Sequence, residues 1–218
     1  MQVDTFTGEN NDWDKLAREA RRAEACSFDG FAIPEITGDP LLNAAMVARA
    51  TERIQARTAI AVAFPRSPMV VAEQAWSIQR NSGGRFALGL GTQVKAHNER
   101  RFSTPWKAPR SRIVEYVEAL RAIWRCWELS ERLDYQGDHY QFSLMTPEFT
   151  PPKSNLPMVP VYLAAVRPRT LESAASVADG LRLHGFCTKK YFDEVVGPAI
   201  DRGLASRGRK RSELDVCG

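Results

Sequence analysis

Two short segments of this chain have the composition of anion-binding loops. Gly89-Leu90-Gly91-Thr92-Gln93 combines backbone N–H groups that a ligand can approach closely with one hydroxyl and one amide. Ala165-Val166-Arg167-Pro168-Arg169-Thr170 leads into a predicted helix N-terminus, where orphan N–H groups and the helix dipole attract phosphate, and its two arginines add charge. Taken singly, a tight turn explains the glycines and a solvated surface explains the arginines. On one face of a fold they favour a phosphate-bearing ligand. Glu35 follows a short apolar segment and is either a proton acceptor or substrate-positioning group, or a helix-capping carboxylate. His184 ends another apolar segment; a lone histidine there is more often hydrogen-bonded core than catalyst. His97 sits in a polar loop just beyond the glycines, and His139 belongs to a proline- and aromatic-rich stretch with a structural character. No Ser-His-Asp ordering, HExxH, CxxC or Walker loop is present. Phosphate handles with so few acid–base or nucleophilic groups point to chemistry carried by a cofactor.

Length and composition narrow the class. The 218 residues are 44% hydrophobic, enough for one sizeable core. No apolar run approaches the roughly 20 residues of a membrane span, and the first residues lack a signal-peptide pattern, so a cytoplasmic protein is the expectation. The four cysteines are scattered, which argues against a metal site or a disulfide framework. The net charge of +4 is compatible with an anionic ligand, and the basic run Arg207–Arg211 reads as a solvated turn with no nucleic-acid module around it.

The elements that must position these residues recur regularly. Strand-like segments begin near Gln2, Gly30, Thr58 and Phe86, at intervals of 28 residues, each followed by a helical pattern. Asp39-Pro40 and Ser67-Pro68 are cap-plus-proline signals for two of the helices. The third strand is expected over Thr58–Phe64 and the fourth over Phe86–Leu90. After a helix over about 112–128 and an excursion over about 129–158, the pattern resumes with strands at 159–165 and 180–185, a helix capped by Thr188 with a kink at Pro198, and a seventh strand at 214–217. This predicts one α/β domain over 1–218, a TIM (β/α)8-type barrel that lacks its last strand. The strand-end loops, including the two anion loops, Glu35 and His184, then gather at one mouth.

Four segments give the chain a family likeness: Gly30-Phe31-Ala32-Ile33-Pro34-Glu35, Ala61-Val62-Ala63-Phe64-Pro65-Arg66-Ser67-Pro68, Gly84 to Lys95, and Ala164-Ala165-Val166-Arg167-Pro168. With them the chain resembles the luciferase-like superfamily of flavin and deazaflavin oxidoreductases, most closely the enzymes that use coenzyme F420. The resemblance implies hydride transfer between the deazaflavin and a small organic substrate, with a homodimer as the assembly. It implies a ring seated over a bulge in the third strand with a nonprolyl cis peptide at Ala59-Ile60, near Val62. It also implies that Gly91, Thr92, Gln93, His97, Val166 and Arg167 lie near the cofactor's phosphate and that Glu35 lines the ring pocket; Ala165 is counted with the cofactor-binding residues, and Glu35 and His184, the latter from its place at a strand end, are the catalytic candidates. Some deazaflavin dehydrogenases have a histidine just after the Glu35 position; here that residue is Ile36. An FMN-dependent monooxygenase and an inactive, truncated flavin-binding protein are the alternatives.

Overall fold

The computed structural model describes residues 2–7 and 11–218. A parallel sheet runs in the order β1 (Asp4–Phe6), β2 (Gly30–Ile33), β3 (Gln55–Thr58), β5 (Phe86–Gly91), β8 (Val161–Ala164), β9 (Gly180–Arg182), β10 (Asp215–Cys217), with the short β4 (Ala61–Val62) also paired to β5. The sheet curls into an open barrel whose free edges are β1 and β10. Helices α1 (Trp13–Ala25), α2 (Pro40–Ala50), α3 (Pro68–Asn81), α4 (Pro109–Leu129) and α5 (Pro168–Val177) pack each against the next around the outside.

Local signals fix most helix starts. Asp12 accepts from Lys15 N at 2.9 Å, Asp39 from Leu41 N at 2.8 Å, and Ser67 from Met69 N at 3.3 Å, while Pro40, Pro68, Pro109 and Pro168 occupy first-turn positions where no N–H is needed. Each strand sends alternate residues outward into the helices. Phe31, Ile33, Leu88, Leu90, Val161, Leu163 and Leu181 are buried there, with Tyr116, Trp124 and Trp127 of α4. Trp76 of α3 meets Trp127 edge to face at 5.6 Å.

Three expectations are corrected. The third strand does not run over Thr58–Phe64 from a fixed 28-residue interval; β3 starts at Gln55, and β4 follows after a break at 59–60. Arg57 faces Ala87 and Ala61 faces Leu90, so four steps on one side match three on the other, a one-residue bulge. The break arises because the Thr58 hydroxyl donates to Gly89 O at 2.7 Å and accepts from Gly89 N at 2.8 Å, taking the place of the backbone ladder. The Ala59-Ile60 peptide within the bulge is cis, as the resemblance implies. The helix after Thr188 is not continuous with a kink at Pro198. It divides into α6 (Lys189–Tyr191), a π-helical segment Phe192–Val196 and α7 (Gly197–Ala205), because Pro198 has no N–H for the carbonyl of Glu194 and the preceding turn widens. The basic run is structural as well as solvated: Arg207 bonds Glu118 at 2.9 Å, and Arg209 bonds the carbonyls of Ala175 and Glu213, each at 2.9 Å.

Between α4 and β8 the chain forms an antiparallel hairpin, β6 (Tyr135–Gln136) and β7 (Gln141–Phe142). The Glu128 carboxylate, accepting from Ser154 N at 2.7 Å and Asn155 N at 2.8 Å, ties the end of this excursion back to the barrel.

Candidate functional site

The residues that each strand sends inward form two tiers of opposite character. The lower tier is charged. Asp4 of β1 accepts from Arg57 Nη1 of β3 and from Arg182 Nη2 of β9, both at 3.0 Å. Arg57, only 5% exposed, also donates to Gln55 at 2.5 Å and Gln2 at 2.7 Å. Tyr162 of β8 donates to Asp215 of β10 at 2.9 Å. Burial, reinforced by the Asp215 carboxylate, raises the Tyr162 pKa, so the phenol stays protonated as the donor. Gly30 and Gly180 make this tier possible: a Cβ at Gly30 would lie 2.3 Å from Asp4 Oδ1, and one at Gly180 2.3 Å from the Tyr162 ring.

One inward position further up each strand the charge disappears. Asp4 gives way to Phe6, Gly30 to Ala32, Arg57 to Ala59, Tyr162 to Ala164, Arg182 to His184 and Asp215 to Cys217. Both tiers line one cavity of about 1330 Å³. Ile60 forms part of its wall, and its side chain occupies the space a Gly91 side chain would need: a Cβ there would be 2.6 Å from Ile60 Cδ1. Gly91 therefore makes room for the bulge. Gly89 makes room for the backbone beneath it, since its Cβ would sit 2.0 Å from Thr58 O.

A second cavity of about 930 Å³ adjoins the first, and Ala164, Ala165 and Val166 line both. Its walls include Thr92 and Gln93 after β5, Trp106 before α4, and the start of α5 at Pro168 to Thr170. Lys95, Arg110, Arg167 and Arg169 give it four cationic side chains around the start of a ten-residue helix. The expected orphan N–H groups are mostly absent there, because Pro168 has no N–H and the Thr170 and Leu171 N–H groups both donate to Arg167 O at 2.9 Å, so the helix offers an anion chiefly its dipole and these side chains. Gln93 turns the loop with φ +56, its amide oxygen accepting from Val94 N at 3.0 Å. The fully buried Asn98 holds the turn from beneath, donating to Thr92 O at 2.9 Å and Val94 O at 3.1 Å.

The expected site residues divide accordingly. Ala59, Ile60, Ala165, Val166 and His184 line the first cavity, and Thr92, Gln93, Ala165, Val166 and Arg167 the second. Val62 is buried under the bulge and Gly91 backs onto Ile60; neither lines a cavity wall. His97 opens a π-helical turn on the surface and lines neither cavity. Glu35 also lies off the wall. Its carboxylate, 5% exposed, accepts from Val62 N at 2.7 Å and from Arg66 at 2.8 and 3.2 Å, and Arg66 also bonds Asp39 at 2.7 Å. His184 is an exposed residue of the mouth, not a core histidine. Its Nδ1 accepts from Phe186 N at 3.2 Å and its ring stacks on Phe186 at 5.2 Å.

The lower tier, Lys95 and Arg110 went unread in the sequence. The signal for the tier was there in part: Arg57 and Arg182 are single charges at alternating positions inside otherwise buried strands.

A model of the luciferase-like monooxygenase family matches residues 1–218. The chain is 44% identical over 205 residues to an uncharacterized protein of Mycobacterium tuberculosis (strain ATCC 25618 / H37Rv), covering 93% of this chain and 60% of that protein. It is 31% identical over 170 residues to the F420-dependent glucose-6-phosphate dehydrogenase of Intrasporangium calvum, covering 76% of this chain and 49% of that enzyme. The solved structure of an F420-dependent secondary alcohol dehydrogenase with an F420-acetone adduct superposes with a TM-score of 0.84 at 20% identity, over 99% of this chain and 67% of that one. The chain thus spans about half to two thirds of the proteins it matches. The match over its whole length, together with the curled parallel sheet, makes this chain a member of the luciferase-like monooxygenase family.

Proposed function

We propose that this chain binds coenzyme F420 and serves an oxidoreductase that moves hydride between the deazaflavin and a small organic substrate. The observation that carries the reading is the pair of adjoining cavities, one with an apolar upper tier and one ringed by cations, joined at Ala164–Val166. The residues fit such a cofactor. A planar ring matches the wall made by Ala59, Ile60 and Ala164, and a phosphate matches Arg167, Arg169 and the start of α5. The deazaflavin, when bound, supplies the hydride chemistry; the chain supplies orientation, exclusion of water and anion binding. Glu35 serves by position: it fixes Val62 beside the bulge through its N–H. The relative from Intrasporangium calvum, whose name carries F420 dependence, favours the deazaflavin over FMN.

The test is a fluorescence titration of the protein with coenzyme F420 and, separately, FMN. F420 binds, FMN binds more weakly, and the double variant R167A/R169A loses at least about tenfold in F420 affinity, the worth of one charge-assisted hydrogen bond. Preference for FMN, or an unchanged F420 affinity in the double variant, overturns the reading.

A further inference from the structure

We propose that Tyr191 is a positioning residue of the second cavity: by holding the Val166 carbonyl it aims the backbone N–H of Arg167 at the bound anion, a phosphate or a phosphate ester. The proposal rests on the reading of that cavity as the anion site and adds to it a neutral donor and the side chain that orients it.

Three observations carry it. The first is the contact. Tyr191 stands in α6, after β9, and its hydroxyl crosses to the loop after β8, where it donates to Val166 O at 3.0 Å. Among the described residues this hydroxyl is the partner of that carbonyl. Tyr191 lines neither cavity, whereas Val166 lines both, so the contact reaches the loop from behind. The second is how Tyr191 itself is held. Thr188 caps α6, its Oγ1 accepting from Tyr191 N at 3.1 Å, and the Tyr191 ring packs against the core. The third is the peptide between Val166 and Arg167. It is trans, so its C=O and N–H point to opposite sides. With the carbonyl turned to Tyr191, the Arg167 N–H points away from it, to the side on which Val166 and Arg167 wall the second cavity. That N–H has no acceptor among the described residues. The start of α5 makes such a donor matter. Pro168 has no N–H, and those of Thr170 and Leu171 are spent on Arg167 O, so little else of the backbone there is left for an anion. The four cations supply charge, but each must order a long side chain to bind. A backbone N–H fixed in direction avoids that cost. Without the hydroxyl, the peptide can turn about the ψ of Val166 and the φ of Arg167, and the aim is lost.

The experiment compares the wild-type protein with Y191F, which removes the hydroxyl and keeps the ring. Inorganic phosphate is titrated into each and followed by the amide proton–nitrogen resonances. In the wild type the Arg167 amide proton moves downfield as phosphate binds. In Y191F the movement is smaller and its midpoint lies at least about threefold higher in phosphate, the worth of one hydrogen bond. F420, titrated by fluorescence, loses affinity by a similar factor. Two further readouts separate positioning from a structural defect. The urea midpoint of Y191F stays at the wild-type value. The slope of log affinity on log salt is also unchanged, because a neutral donor is lost and no cation; a disordered site would flatten that slope. A wild-type Arg167 amide that does not respond to phosphate overturns the proposal. So does a loss of phosphate affinity smaller than about threefold in Y191F, or a loss accompanied by a lower urea midpoint or a flatter salt slope. Failure of F420 to bind the wild-type protein defeats the proposed function instead, while the phosphate titration still decides the role of Tyr191.

Discussion

Replacing Glu35 separates a positioning carboxylate from a proton-transfer group. In the structure its side chain is 5% exposed and holds three hydrogen bonds, one from Val62 N and two from Arg66. E35A leaves the Val62 N–H without its acceptor and the Arg66 guanidinium, 16% exposed, with Asp39 as its remaining anionic partner among the described residues. Removing one member of a buried pair costs 3–5 kcal/mol; because Asp39 remains, about 3 kcal/mol is the expected loss. For a chain of this length that lowers the melting temperature by about 6–12 °C. E35Q keeps an oxygen for Val62 and loses the charge opposite Arg66, so its cost is about 1–2 kcal/mol. Urea denaturation of the three proteins measures these differences as shifts in midpoint at constant slope. R66A in the E35A background should cost less than R66A alone, since the two side chains share one interaction. If E35A unfolds within about 0.5 kcal/mol of wild type, the carboxylate does not hold the bulge, and the case for a chemical role revives.

The two glycines of β5 should fail differently. G89A drives a Cβ into the Thr58 carbonyl and should destabilise by about 3 kcal/mol in urea; G91A meets the more yielding Ile60 side chain and should keep most of the stability while weakening F420 binding in the same fluorescence titration. A G91A protein with full F420 affinity would show that Ile60 has no part in the ring seat. On acidification stability should hold at neutral pH and fall below about pH 4, the ordinary carboxylate range. Burial opposes the charge of Asp39, but Arg66 and the Leu41 and Leu42 N–H groups outweigh it and lower its pKa; for Glu128 likewise burial is outweighed, by Ser154 and Asn155. A lowered folded pKa adds stability above the unfolded value that disappears as the pH drops through the folded one, and D39N should flatten that fall in a series of urea midpoints. Salt should weaken F420 binding through the exposed Arg167 and Arg169, and a slope of affinity on salt unchanged in R167A/R169A would remove those arginines from the anion site.

What the sequence disclosed follows the range of the forces involved. The caps at Asp39 and Ser67 are local, a hydrogen bond across two residues, and they are legible as residue types in order. The strands that are buried on their helix face read as apolar runs. The third strand misled because its course is decided at a distance: an all-apolar stretch from Ala59 to Phe64 looks like one strand, and only the Thr58–Gly89 exchange, 31 positions apart, reveals where pairing breaks. Glu35 misled for the same reason, since its partner Arg66 is 31 residues on. The arginines after β8 were legible because charge shows wherever it stands, but the glycines of β5 misled: they read as backbone access for a ligand, whereas they make room for Thr58 and Ile60 across the bulge, and Lys95 and Arg110 gain their meaning only when α4 and the loop after β5 face the same hollow.

The contact of Asp4 with Arg182 has a consequence for how the molecule assembles. It joins positions 178 apart, against 53 for Asp4 and Arg57. Chain closure over the longer span costs about 1 kcal/mol more entropy than over the shorter one. The β1–β2–β3 side of the sheet can therefore settle while β9 is still unformed, with Asp4 already held by Arg57. The curl that brings β9 round to β1 is then a late, slow event that adds the second arginine to a carboxylate waiting for it. On a ribosome the first half of the sheet would stand finished and flat-edged until residue 182 has emerged, and the hollow in which the chemistry is proposed to occur would take shape only then.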